Sequence, residues 1–496
     1  MAGTGLGRTK SIEQSIADTD EPGTRLRKDL TAWDLTVFGV AVSIGAGIFV
    51  FAAQEAGDTA GPAVSLSFLL AAITCGFAVL CYAELASTVP VAGSAYTYSY
   101  ATFGEFIAWV IGWDLILEFS VGGAVLAKAW SQYLSETTGG AIASTVEIAG
   151  RSVDWGALLV VLVLTVVLAL GIKLSSFVSQ AITAVKIAVV LLVIVIGAGY
   201  VRAENYTPYI PPAQPPGEAG SGLEQSLFSL LSGSEGSTYG LFGVLAAASV
   251  VFFAFIGFDV VATTAEETRN PQRDLPRGII TSLAIVTVLY VAVALVITGM
   301  QPYTALSSSG GGETATLATA FDNVGLGWAA RIISLGALAG LTTVAMILML
   351  GQIRVLFAMS RDGLLPRGLA RTGGAGTPVR ATVLVGVVVA LVAGFFPIER
   401  LEEMVNVGTL FAFVLVSAGV LVLRRSRPDL SRGFRTPLVP LIPILAIVCC
   451  LWLMLNLTAG TWVRFVVWLA IGLLIYFVYG VRKSRLRERE SAPADG

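Results

Sequence analysis

The chain has 496 residues, of which 55% are hydrophobic and only 13% charged, with a mean hydropathy of +0.81 and a formal net charge of −2. An ordinary soluble domain is about a quarter charged, so this is the composition of a multi-spanning membrane protein, with no basic excess for nucleic acid. Histidine is absent, which excludes a histidine proton relay and a histidine-ligated metal.

Residues 1–28 are polar and include Asp18, Asp20 and Glu21, unlike a cleavable signal peptide, and residues 1–30 read as a cytoplasmic tail. Apolar runs then predict twelve spans, at 33–55, 62–88, 104–134, 155–173, 177–201, 239–264, 277–299, 325–353, 379–397, 402–423, 438–456 and 461–481. An even number puts both termini on one side. Of the 31 Lys and Arg, only Arg151, Arg202, Arg400 and Arg464 fall in expected outer segments, and Lys128, Lys186 and Arg331 fall within spans. The rest lie on the side of the termini, which makes that side cytoplasmic. Cys75, Cys81, Cys449 and Cys450 all sit in apolar runs and read as packing residues.

Three loops carry signals. Residues 202–238 contain Pro211, Pro212, Pro215 and Pro216 and read as an outer loop with a short helix around Leu223–Leu231. Residues 265–277 are short and dense in charge, with Pro271 and Pro276 expected to stop helices and the charges expected to pair and part during a conformational change. Residues 354–380 form a basic inner loop, and Arg482-Lys483-Ser484-Arg485 reads as a stop facing anionic lipid.

The first span contains Val42-Ser43-Ile44-Gly45-Ala46-Gly47-Ile48-Phe49. Each mid-helix glycine costs about 1 kcal/mol relative to alanine, and a loosened backbone inside a membrane needs other partners. Close helix packing explains one such site alone. A second interruption occurs at the matching place in span 6, Phe253-Ala254-Phe255-Ile256-Gly257, and that span crosses in the opposite direction. Five spans per half, each half opening on an interrupted helix, is the pattern of an inverted repeat with substrate bound between the breaks. The halves are 31–201 and 239–423, followed by two further spans within 424–481 and a tail at 482–496. A half-helix N-terminus offers N–H groups and roughly +0.5 of partial charge to a carboxylate, and unwound carbonyls accept from an ammonium. That combination suits a zwitterionic amino acid better than a sugar or an inorganic ion.

Gly45-Ala46-Gly47-Ile48-Phe49 resembles the first-helix signature of the amino acid–polyamine–organocation superfamily. Gly257-Phe258-Asp259, followed by Thr263-Thr264-Ala265-Glu266-Glu267-Thr268-Arg269-Asn270-Pro271, resembles its cationic amino acid transporter subfamily. So do Gly112-Trp113-Asp114-Leu115-Ile116-Leu117-Glu118, Gly351-Gln352-Ile353-Arg354 and Met359-Ser360-Arg361-Asp362-Gly363-Leu364-Leu365-Pro366. The resemblance covers nearly the whole chain and implies an all-α integral membrane fold of LeuT-like build. It implies that the N–H groups of Gly45, Ala46 and Gly47 hold the carboxylate. Ala46 stands where many members carry Ser or Thr, which leaves this contact to the backbone. The carbonyls of Ser43, Ile44, Phe253, Ala254 and Ile256 would hold the amino group, with Phe253 or Phe255 closing over the substrate.

Lys186 interrupts span 5, where a charge costs about 2.5 kcal/mol or more to insert. In sodium-coupled relatives of this fold a cation sits between spans 1 and 8, and a lysine from span 5 would put its ammonium there. Thr342-Thr343 resembles the hydroxyl pair that would otherwise line that site. Proton binding at Lys186 then replaces sodium. Glu118 lies one turn after Asp114 and has three readings: accepting a cationic substrate side chain, moving protons, or pairing with Lys128. Glu84 and Arg331 read as structural or gating charges.

Together these residues predict a proton-coupled symporter of L-amino acids working by alternating access in the plasma membrane. Its partners are the amino acid, protons and the bilayer, with no cofactor, no metal and no nucleic acid; protein partners stay open. An exchanger, a sodium-driven carrier, an arginine or lysine transporter and a non-transporting sensor remain alternatives. Matched broken helices argue against a channel. The absence of a Gly-x-Ser-x-Gly elbow, a metal cluster or a phosphate-binding loop argues against an enzyme. Apolar Val344 to Met349 favours a small neutral side chain, and Glu118 favours a cationic one.

Overall fold

The computed structural model describes residues 29–89, 94–141, 144–148, 151–171, 176–215, 222–233, 236–262, 264–307, 315–372 and 377–484. Most of the two tails read from the sequence, and Thr263 and Pro216, lie outside them. The architecture is mostly helical: α1 (Ala32–Ser43), α2 (Val64–Thr88), α3 (Ser94–Thr102), α4 (Glu105–Thr137), α5 (Trp155–Ala169), α6 (Ser176–Ala198), α7 (Gly240–Val251), α8 (Pro271–Met300), α9 (Gly327–Arg361), α10 (Val379–Phe395), α11 (Ile398–Ser426), α12 (Leu441–Asn456) and α13 (Ala459–Ile475). Among the described residues, eight helical stretches are long and apolar enough to cross a membrane, and α1, α5, α10 and α12 are shorter apolar helices. Each apolar run read from the sequence overlaps helix in this set, the first being divided between α1 and the stretch that begins at Gly47.

Burial separates centre from rim. The most apolar stretch of α4 is 94% buried, whereas that of Ala459–Lys483 is 22% buried. α4 packs against α9, α11, α5 and α10, while α8 packs against α2 and α1. On α13 the side chains of Val463, Val466 and Leu474 are exposed, the apolar outer surface that lipid requires.

Local chemistry sets several helix ends. Thr31 and Asp34 form a capping box, with Thr31 N–H donating to Asp34 Oδ2 at 2.9 Å, so α1 begins at Ala32. Pro271 starts α8 instead of stopping a helix, because its missing N–H is not needed at the first position. Pro276 lies inside α8 and does not stop it either, which corrects the expectation from the sequence. Between α6 and α7 the short helix is Leu227–Ser232, ending on Gly233 at φ 69°, and the expected start near Leu223 is a separate turn, Gly222–Glu224. A hairpin that the sequence reading missed, β1 (Thr145–Ile148) with β2 (Arg151–Asp154), pairs Thr145 with Asp154. It delivers Asp154, which caps α5 through Ala157 N–H at 3.0 Å.

Glu84 has a structural role. Arg424 donates to both of its oxygens at 2.8 and 2.7 Å, Thr436 N–H donates to Oε2 at 2.7 Å, and Arg432 Nε lies 3.2 Å from Oε1. Glu84 and Arg432 are almost fully buried, so this fork ties α2 to the end of α11 and the segment beyond it. Removing one partner of a buried pair strands the other charge, and Glu84→Ala is expected to destabilise the purified protein by about 3 kcal/mol. Thermal unfolding in detergent, compared with Arg427→Ala at an exposed pair, measures it.

Candidate functional site

Two helices stop in the middle of the bundle and meet there. α1 ends at Ser43, Ile44 is extended, and a new helical stretch begins at Gly47. α7 ends at Val251, the chain tightens through Phe252–Phe255, and Ile256 is extended before the short helix Phe258–Ala262. Glycine makes this meeting possible. A Cβ on Gly47 would stand 2.2 Å from Ala254 Cα, and Gly257, at φ 134°, would put a Cβ 2.7 Å from Val42 Cγ1. Phe51 and Phe253 close the junction edge to face, with ring centroids 5.4 Å apart.

A cavity lies at this junction. Of the residues singled out from the sequence, Ser43, Gly45, Ala46, Gly47, Phe253, Ile256 and Glu118 line it. Ile44, Ala254 and Phe255 are buried but do not line it. Phe255 packs on Phe68 and Tyr290, so of the two phenylalanines singled out from the sequence Phe253 is the one facing the space. Phe119, Leu126, Val344, Leu348 and Val405 give the opposite wall an apolar surface. The volume open to the centre of a water molecule is about 20 Å3, room for roughly one water. An amino acid fits only if neighbouring side chains move.

The backbone at the breaks is partly spoken for. Gly45 O accepts from Ile48 N–H at 3.3 Å and Phe49 N–H at 3.2 Å, restarting the helix. The N–H groups of Gly45, Ala46 and Gly47 fall at that restart, where a helix has no acceptor of its own. Tyr290 of α8, which the sequence reading did not single out, lies 2.5 Å from Ser43 O and 3.0 Å from Ala254 O. Its single hydroxyl proton bridges carbonyls of both broken helices. A tyrosine within an apolar helix carries no sequence signal for this role, because only folding brings α8 to both breaks. Tyr133 of α4 donates to Phe49 O at 2.6 Å on the other flank.

Lys186 reaches the same element from behind. It is 1% exposed, and its Nζ donates to Ala41 O at 2.6 Å and lies 3.4 Å from Ile44 O. Its stem lies against Gly340 of α9, where a Cβ would meet the side-chain carbons at 3.1 Å. The ammonium therefore sits at α1 with α9 beside it. Thr342 and Thr343 donate to their own helix, to Leu338 O and Gly340 O, both at 2.7 Å. Glu118 shares buried surroundings with Asp114 and Asp259, and neither oxygen of Asp114 has a hydrogen bond. Lys128 does not pair with Glu118: it donates to Asp154 Oδ2 at 3.2 Å and to Ala393 O at 3.3 Å, because α4 carries it a further ten residues along the bundle. In the charged loop, Glu267 stands 3.7 Å from Arg354 of α9.

The family model for amino acid permeases matches residues 30–479. The chain belongs to the amino acid permease family. It is 42% identical to the branched-chain amino acid permease BcaP of Bacillus subtilis and 40% identical to the methylthioribose transporter of the same organism, each over 97% of this chain and 99% of the relative. It is 31% identical to the vacuolar cationic amino acid transporter 4 of Arabidopsis thaliana, over 98% of this chain and 97% of that protein. These relatives are transporters, not enzymes, and with the apolar helices they make this chain a multi-pass membrane protein.

Two predictions test the permease junction. Gly257→Ala forces a strained backbone and a clash with Val42 and is expected to cost about 2 kcal/mol or more of stability, whereas Gly76→Ala, in the middle of α2 with nothing within 4 Å of the added Cβ, is expected to lose none and to gain up to about 1 kcal/mol. Thermal unfolding of the two variants compares them. Tyr290→Phe leaves two buried carbonyls short of a donor, at a cost of about 1–3 kcal/mol. Thermal unfolding of Tyr290→Phe beside the parent measures that loss.

Proposed function

We propose that this permease is a secondary active transporter of L-amino acids, coupled to protons and working by alternating access. The observation that carries the reading is the pair of interrupted helices packed backbone to backbone beside a small cavity. The N–H groups of Gly45, Ala46 and Gly47 take the substrate carboxylate. The carbonyls of Ser43, Phe253 and Ile256, whose residues line the cavity, and of the adjoining Ile44 and Ala254 take the amino group, which competes for three of these acceptors with the donors Tyr290 and Lys186. Phe253 closes over the bound molecule. In this reading the chain makes twelve crossings of the cell membrane as two inverted five-helix repeats and two further helices, with both termini cytoplasmic.

Lys186 is the coupling group. Charged, it holds the α1 carbonyls by charge-assisted hydrogen bonds; neutral, it holds them about half as strongly. Glu118, Thr342 and Thr343 border this arrangement and tune it. The apolar wall formed by Val344, Leu348 and Val405 favours a neutral aliphatic side chain, in keeping with the name of BcaP. Glu118 in the cavity lining favours a substrate with a donor on its side chain, as in the cationic transporters, and gives a second reading.

Uptake of radiolabelled neutral and cationic amino acids and of methylthioribose into sodium-free proteoliposomes, with and without an inward proton gradient, tests the function. Saturable uptake of an amino acid stimulated by the gradient is the expected result. Exchange without net uptake makes the chain an antiporter, and binding without flux makes it a sensor. Lys186→Ala is expected to keep substrate binding and lose gradient stimulation; stimulation equal to the parent overturns its role.

A further inference from the structure

Lys186 holds two α1 carbonyls, of Ala41 and Ile44, whose surroundings open on two spaces. On one side is the cavity at the helix breaks, whose wall includes Ser43, Gly45 and Val344. On the other is a vestibule with about 610 Å3 open to the centre of a water molecule, at the end of the bundle where α1 begins. Its wall includes Ala41, whose carbonyl accepts from Lys186 Nζ, and Thr183, one turn before Lys186 on α6. Gln180, a further three residues back, lines the same space, so positions 180, 183 and 186 place polar groups at helical spacing, and from Ala181 onward Thr183 and Lys186 are the polar residues of α6. Ala41 thus touches both the ammonium and the vestibule, which Lys186 itself does not line. Toward the substrate cavity there is room for roughly one water.

We propose that Lys186 exchanges its proton with this vestibule along the Thr183 and Gln180 face, so that the coupling ion leaves where α1 begins while the substrate sits on the other side of the α1 break. The ammonium passes a proton to a vestibule water and becomes a neutral amine. Its hold on the Ala41 and Ile44 carbonyls weakens with the charge, and the end of α1 loosens. The charged groups along this route are Asp34 of α1, Glu267 after the short helix Phe258–Ala262, and Arg354 of α9. α8 also packs on α6 and carries Arg273, Asp274 and Arg277 in its first two turns. Glu267 and Arg354 lie 3.7 Å apart and neutralise each other near the mouth.

The inference rests on the reading of Lys186 as the coupling group, and the experiment separates the two. Thr183→Val and Thr183→Ser are reconstituted beside the parent and Lys186→Ala, and gradient-driven net uptake is compared with substrate counterflow. Net uptake needs proton release, whereas counterflow lets the protonated carrier shuttle without it. Thr183→Val is expected to slow net uptake by roughly tenfold, less than the full effect of a positioned proton-transfer group because water still passes the methyl. Counterflow stays at the parental rate, and Thr183→Ser behaves as the parent. Net uptake at the parental rate in Thr183→Val overturns the route. Loss of counterflow together with net uptake makes Thr183 structural and also overturns it. Gradient stimulation that survives Lys186→Ala instead removes the reading on which the route rests.

Discussion

Two stretches of backbone pass each other here at a distance that admits no side chain. Gly47 lies on the main chain of Ala254, and Gly257 turns with φ 134° against Val42. Neither helix runs regularly through this crossing, so each stops and restarts, leaving N–H and C=O groups without partners in their own helix. In a low-dielectric interior such groups need other partners. Everything distinctive about the site follows from that need: the donors gathered at the restart, the carbonyls left at the ends, and the polar side chains sent in from neighbouring helices.

Three flanking helices supply those side chains, each through its tip. Tyr290 of α8 touches both breaks, Tyr133 of α4 reaches Phe49 O, and Lys186 of α6 reaches Ala41 O and Ile44 O. A single hydrogen bond contributes about 1 kcal/mol net, so no one contact locks the broken stretch in place. In the proposed mechanism a substrate with its own donors and acceptors competes with these contacts on equal terms, which would link occupancy of the cavity to movement of α1. Away from the junction the bundle is held differently: Glu84 fastens two arginines and a backbone N–H far from the breaks, in a fork with little freedom to rearrange.

Much of this was legible in the sequence. Composition announced the membrane, the apolar runs located the helices, and two glycine-bearing interruptions at matched positions pointed to the site. These signals are local: a glycine, a run of apolar residues or a lone lysine in an apolar helix carries its meaning without knowledge of its neighbours. Where the reading missed, the signal was not local. Pro276 was read as a helix stop, yet α8 continues through it. The hairpin of β1 and β2 is a few residues long, too short for its alternation to stand out, and the position of Asp154 beside Lys128 follows from it.

The chain by itself determined that this is a helical membrane protein of the amino acid permease family, with two broken helices and a buried lysine, because membrane burial and backbone freedom are written residue by residue. Only the tertiary structure decided that Phe253 and not Phe255 faces the cavity, that Tyr290 joins the two breaks, that Lys128 turns to Asp154, and that Lys186 holds Ala41 at the wall of a wide vestibule. Each of these depends on the rotation and depth of one helix against another. The packing of whole surfaces sets that relation, and no single residue encodes it.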